Sequence, residues 1–173
     1  MGEGLPAGPL AIELEEQAAV SRSVDETGTT IRTTAADDTV AELHIPERAL
    51  SRAATITVTP VSELRGLPAS GPMLAAVQLE PHGLSFARPL TLRLTIPTSV
   101  DPEAVLAYTY DERENDESVA FVPVGSFDEA TSTARLTLYH FSGAGIAIGD
   151  TNDIRSNLAG IGEKFRQQAA IAQ

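Results

Sequence analysis

Leu90-Thr-Leu-Arg-Leu-Thr-Ile96 is the stretch that decides the fold. Leu90, Leu92, Leu94 and Ile96 fall on one side of an extended chain, and Thr91, Arg93 and Thr95 fall on the other. Side chains in a strand alternate between faces, so this pattern marks a strand with one buried face and one wet face. Shorter versions recur on both sides of it. Ala41, Leu43 and Ile45 alternate with Glu42 and His44, Ile56 and Val58 with threonines, and Val77 and Leu79 with Gln78 and Glu80. Val105–Tyr110, Val119–Val124 and Arg135–Tyr139 read the same way.

Turn signals separate these runs: Glu26-Thr-Gly28, Ala36-Asp-Asp38, Pro81-His-Gly83, Asp111–Glu117 and Gly125–Glu129. About eight or nine short strands at this spacing predict an all-β, antiparallel β-sandwich-like domain. Residues 1–18, with Glu13, Glu15 and Glu16, read as an extended lead-in with room for one edge strand. The β-domain is expected over 19–149. Residues 150–173 change character: Ile154, Leu158, Ile161, Phe165 and Ala169 recur at helical spacing and predict an amphipathic C-terminal α-helix. Asp150, Thr151 or Asn152 could cap it. Gly160 and Gly162 each weaken it by ~1 kcal/mol relative to Ala, so it needs a surface to dock on.

Composition bounds the function. The chain of 173 residues is long enough for one domain with a real core, but it has no Trp and is only 5% aromatic, so that core rests on Val, Leu, Ile and Ala. Net charge is -12, and Lys164 is the sole lysine. Such a surface repels phosphate backbones and anionic membranes, so neither nucleic-acid binding nor membrane insertion is expected. There is no cysteine, which excludes disulfides, thiol catalysis and Cys-ligated zinc. The first residues lack the basic start and apolar run of a signal peptide. The compartment stays open: cytoplasmic, or extracellular or cell-surface for a piece of a longer exported protein. No cofactor motif is present. The acidic segment Asp111–Glu117 lacks the glycine and oxygen spacing of a calcium loop and reads as a solvated hairpin tip. His44, His82 and His140 have no metal-ligand spacing, so no metal site is expected.

Several segments resemble the ZU-five domain, the module shared by zonula occludens proteins, netrin receptors and ankyrins, with bacterial relatives. Ile45-Pro46, Ala49-Leu50 and Ala54–Val58 are similar to its proline turn and following strand. Pro81-His-Gly-Leu-Ser-Phe-Ala-Arg-Pro-Leu90 resembles its Pro-x-Gly-x-x-Phe-x-x-Pro-Leu signature. Leu106–Asp111 resembles its Tyr-rich strand, and His140-Phe-Ser-Gly143 its closing strand. The likeness spans roughly Val24 to Gly149 and departs at Arg48, where a glycine is expected. It implies a β-sandwich-like fold used for protein contacts and scaffolding. In some members, a death-domain scaffold protein among them, a His-Phe-Ser sequence is a site of autoproteolysis between Phe and Ser. Here that bond is Phe141–Ser142.

The residues themselves permit this chemistry. Ser142 could attack the Phe141 carbonyl and turn the amide into an ester that water cleaves, a single turnover with no external substrate. His140 is the nearest histidine in sequence and suits a base at neutral pH. In a straight strand Leu136, Leu138, His140, Ser142, Ala144, Ile146 and Ile148 share one face, which the apolar members mark as buried. Side chains two apart then stand about 6.6 Å from each other, so proton transfer needs a kink, expected at Ser142-Gly143. Ser142, His140 and Phe141 are therefore the candidate site residues, as nucleophile, base and acyl donor. Two readings stand side by side. One is an interaction and scaffolding module that cuts itself and keeps its fragments, 1–141 and 142–173, associated. The other is a purely structural spacer domain of a larger exported bacterial protein, with His140 and Ser142 as a hydrogen-bonded corner. Partners in either case are other proteins or neighbouring domains of a longer chain.

Overall fold

The alternating leucines lie in the C-terminal half of the central strand of a five-stranded sheet, with strands paired on both sides. The structure is a computed structural model and describes residues 11–65, 71–111, 118–122 and 124–149. Its strands are β1 (Ala11–Leu14), β2 (Val20–Val24), β3 (Thr29–Thr34), β4 (Val40–Ile45), β5 (Ala54–Arg65), β6 (Met73–Glu80), β7 (Ser85–Thr95), β8 (Val105–Asp111), β9 (Ser118–Val122), β10 (Ser126–Asp128), β11 (Thr133–His140) and β12 (Gly143–Ile148). One sheet has five strands in the order β10-β11-β7-β4-β3, and the other has seven, β1-β5-β6-β12-β8-β9, with β2 also on β5. Every pairing is antiparallel.

The alternation at 90–96 behaves as its pattern dictates. Leu90, Leu92 and Leu94 are fully buried and Arg93 is exposed. Leu92 stands between Leu136 on β11 and Leu43 on β4, in register with both. Ile56, Val58, Val77, Leu79, Ala144 and Ile146 supply the opposing layer from the seven-stranded sheet and complete one core between the sheets. Burying each such aliphatic side chain contributes ~1.5–3 kcal/mol.

A second, smaller cluster lies on the other face of the seven-stranded sheet. Its members are Val61, Leu64, Ala76, Tyr108, Tyr110 and Ala147. Alternation explains the division: Ala107 on β8 joins the main core, while its neighbour Tyr108 points the other way.

The structure refines several expectations. Ala11–Leu14 adds a strand along Val61–Arg65, inside the segment read as a lead-in. Gly125–Glu129 is not simply a turn, because Ser126–Asp128 pairs with Thr133–Arg135 as β10. Arg48, which stands where glycine was expected, has φ 63°. Its backbone is thus in the left-handed region that favours glycine. Both the acidic tip at 112–117 and the helix expected over 150–173 lie outside the described residues. Among the described residues no helix is long and apolar enough to cross a membrane.

Candidate functional site

Phe141 and Ser142 form the whole connection by which the chain leaves one sheet and enters the other. β11 ends at His140 in the five-stranded sheet, and β12 begins at Gly143 in the seven-stranded one. The core-facing residues along this path are Leu136, Leu138, Phe141, Ala144 and Ile146. The step from Leu138 to Phe141, and again to Ala144, is three residues instead of two. That extra residue corrects the straight-strand expectation. His140 does not share a buried face with Ser142: His140 is exposed, beside Tyr139 at 67% exposure, whereas Ser142 is buried. The cause is a break in register. Leu138 pairs with Leu90 but His140 pairs with Ser85, so β7 bulges there and the alternation slips. Phe141 takes the inward place, 1% exposed, with its ring edge-on to Phe86 at 4.7 Å between centroids.

The main chain of Phe141 is held on both sides by the turn that precedes β7. Its N–H donates to the Leu84 carbonyl at 3.0 Å, and its carbonyl accepts from the Gly83 N–H at 3.2 Å. Gly83 has φ 76°, a conformation that glycine adopts without steric cost, and it follows the cis Glu80–Pro81 bond. The Ser142 hydroxyl donates to the Gly143 carbonyl at 3.3 Å. Among the described residues it has no hydrogen bond to His140.

Gly143 has a different role from the expected kink. The positive-φ glycines among the described residues are Gly28 and Gly83. What Gly143 provides is space: a Cβ there would lie 1.8 Å from Cζ of Tyr110. The Tyr110 ring covers the bare backbone of its cross-strand partner Gly143, while a Cβ at Gly145 would meet the Ala75 carbonyl at 2.5 Å, and the Ala76 Cβ and the hydroxyl of its partner Tyr108 at 2.7 Å. Tyr110 donates its hydroxyl to Gln78 Oε1 at 3.1 Å, and Gln78 is in register with Gly143 from the other side, on β6. Gln78 Nε2 in turn lies 3.1 Å from His82 Nε2. The result is a chain, Tyr110–Gln78–His82, laid over the start of β12. Its far end is the turn that binds the Phe141 carbonyl.

The sequence reading missed Gln78 and His82. Gln78 alternates with Val77 and Leu79, so it reads as solvent-facing, yet it is 3% exposed. One signal was available: Tyr-x-Tyr at 108–110 matches Gly-x-Gly at 143–145, the bulk of one strand filling the gaps of the other.

The remaining candidates fall elsewhere. His44 Nδ1 lies 3.1 Å from Thr30 Oγ1, across from β3. The three histidines sit on separate elements, and among the described residues no three metal-binding side chains converge. Across the outer face of the five-stranded sheet runs one charged row in register: Arg32, Glu42, Arg93 and Arg135. It lines a cleft of about 540 Å³. Tyr108 is buried, and desolvation pushes its hydroxyl pKa well above the ordinary tyrosine value.

Fold and site together define an antiparallel β-sandwich whose sheet-crossing corner carries a buried serine behind a held carbonyl. No protein-family model matches the chain, and no curated protein matches it.

Proposed function

We propose that the chain is a protein-interaction and scaffolding β-module of the ZU-five kind that cuts its own backbone once, between Phe141 and Ser142. One observation carries this reading: the Phe141 carbonyl is already held by a main-chain N–H at 3.2 Å, and the residue on the other side of the peptide bond is a buried serine. Ser142 Oγ adds to the Phe141 carbonyl carbon, and its proton passes to the Ser142 nitrogen with His140, exposed at the end of β11, as carrier. The C–N bond breaks and an ester remains. One water then adds to the ester and releases Ser142 Oγ with its proton restored. The products are a Phe141 carboxylate and a free Ser142 amine. Burial of Phe141 against Phe86 fixes the acyl side throughout.

Cutting does not separate the pieces. β12 is hydrogen-bonded to β6 on one side and β8 on the other, so the fragment that begins at Ser142 stays in the middle of its sheet. Partners are proteins or neighbouring domains, and the arginine row on the five-stranded sheet offers them a cationic face on an otherwise acidic molecule. The net charge of -12 argues against nucleic acid as a partner.

A second reading, a plain structural spacer, is favoured by His140's exposure and by the bond that Ser142 already makes to Gly143. Denaturing intact-mass spectrometry separates the two. Self-cleavage gives two fragments that sum to the chain plus one water (~18 Da), the smaller beginning at Ser142, while Ser142→Ala stays whole. A folded wild-type chain that remains intact after prolonged incubation at neutral pH establishes the spacer.

A further inference from the structure

Acyl transfer needs more than a nucleophile. As Ser142 Oγ bonds to the Phe141 carbon, the carbonyl oxygen gains a full negative charge, and donors aimed at that oxygen dominate the rate in reactions of this type. The structure holds one such donor, the Gly83 N–H, 3.2 Å from the oxygen. That distance is at the long end for an N–H···O bond and shortens when the acceptor is charged.

The residue before Gly83 carries a further ring nitrogen that is buried and makes no hydrogen bond among the described residues in the resting structure. The orientation of the Gln78 amide selects the His82 tautomer. Tyr110 donates to Gln78 Oε1, which turns the Gln78 amide nitrogen toward His82 Nε2. An amide NH₂ only donates, so His82 Nε2 accepts and the ring proton sits on Nδ1. His82 Nδ1 is buried and has no hydrogen-bond partner among the described residues. A neutral imidazole with a buried, unused N–H is costly to keep, and here it belongs to the turn that grips the reacting carbonyl.

We propose that the Pro81-His82-Gly83 turn is the oxyanion-binding element of the self-cleavage, with the Gly83 N–H and the His82 Nδ1–H both donating to the Phe141 oxygen in the tetrahedral intermediate. This assignment rests on the self-cleavage reading. The charge forms when the Oγ–C bond is made, and it collapses as the C–N electron pair leaves with the Ser142 nitrogen, which takes the Oγ proton. His82 keeps its own proton throughout, so its part is electrostatic and distinct from that of His140. Gln78 and Tyr110 are positioning residues, since they hold the imidazole without touching the reacting atoms.

The test is a time course of intact mass for the full chain and for His82→Ala, His82→Gln and Ser142→Ala, with near-UV circular dichroism to show that each is folded. Loss of one oxyanion donor slows such reactions by about 10²–10³-fold, which is the expectation for His82→Ala. His82→Gln keeps a side-chain N–H and is expected to recover at least about tenfold over His82→Ala, which a merely structural role does not predict. A folded His82→Ala chain that cuts at the wild-type rate overturns the oxyanion assignment alone, and so does a His82→Gln chain no faster than His82→Ala. A folded wild-type chain that never cuts overturns the self-cleavage reading and this one with it. ¹⁵N-resolved NMR of the imidazole in Ser142→Ala gives an independent check: protonation at Nδ1 is expected, and protonation at Nε2 overturns the assignment.

Discussion

Gly143→Ala is the substitution that best separates two explanations of the same residue. If Gly143 exists to bend the chain beside Ser142, any side chain there stiffens the corner whatever lies opposite. If it exists to receive the Tyr110 ring, the damage depends on that ring. The added Cβ lies 1.8, 2.1 and 2.2 Å from three atoms of the Tyr110 ring. Ordinary carbon contact is about 3.5–4.0 Å, so the ring must retreat by roughly 1.5–2 Å. The ring is 2% exposed, and overpacking of this kind costs about 1–3 kcal/mol. Its retreat also breaks the bond to Gln78 Oε1, a buried acceptor whose loss of a partner adds ~1–3 kcal/mol. The sum is about 2–6 kcal/mol, or a fall in Tm of roughly 10 °C for a domain this size. The assay is urea unfolding of wild type, Gly143→Ala, Tyr110→Ala and the double variant. With the ring gone, the three atoms nearest the alanine Cβ at 143 go with it, so its cost is expected to fall below about 1 kcal/mol, which leaves a coupling of about 1–5 kcal/mol. Additive costs in the two backgrounds refute the ring explanation and return Gly143 to the role of a backbone hinge.

Other expectations follow from single residues. Arg48 holds φ 63°, so Arg48→Gly is expected to raise stability by about 0.5–1 kcal/mol in chemical denaturation, against the usual direction for glycine. The Tyr108 hydroxyl is buried without a partner among the described residues, so Tyr108→Phe is expected to be neutral or to stabilise by up to about 1 kcal/mol. The same burial raises its pKa in the folded state, so its contribution is whole below the unfolded value of about 10 and is lost as pH rises above it. Alkaline unfolding should therefore begin above pH ~10 and move to higher pH in Tyr108→Phe, as read by absorbance of tyrosinate. Arg93 and Arg135 face each other directly across β7 and β11, and Arg135→Glu is expected to stabilise by about 0.2–1 kcal/mol at low salt, with the gain shrinking in 1 M NaCl.

Legibility followed locality. The run from Leu90 to Ile96 announces its own faces, because a strand with one wet side writes its burial into every second residue. Tyr108 and Tyr110 could likewise be placed on one face. The corner could not, because parity holds only while the register does. At Leu138 the register breaks for a reason that lies in β7, some fifty residues earlier, and nothing in Leu-Tyr-His-Phe-Ser announces it. Gln78 and His82 were misjudged for a related reason. Their neighbours in space, Gly143 and Tyr110, come from strands distant in sequence, and the polar face of a strand looks the same whether it meets water or a tyrosine.

The position of β12 bears on how the molecule is made. β6 and β8 both precede it in the chain, yet it lies between them. A ribosome therefore delivers the flanks of the sheet before the strand that joins them. Until residues 143–148 emerge, β6 and β8 each present an open row of backbone donors and acceptors, the kind of edge that recruits other chains. A product stopped short of Gly143 would hold two half-sheets with nothing between them, and the cell's quality control would meet it as an aggregation hazard.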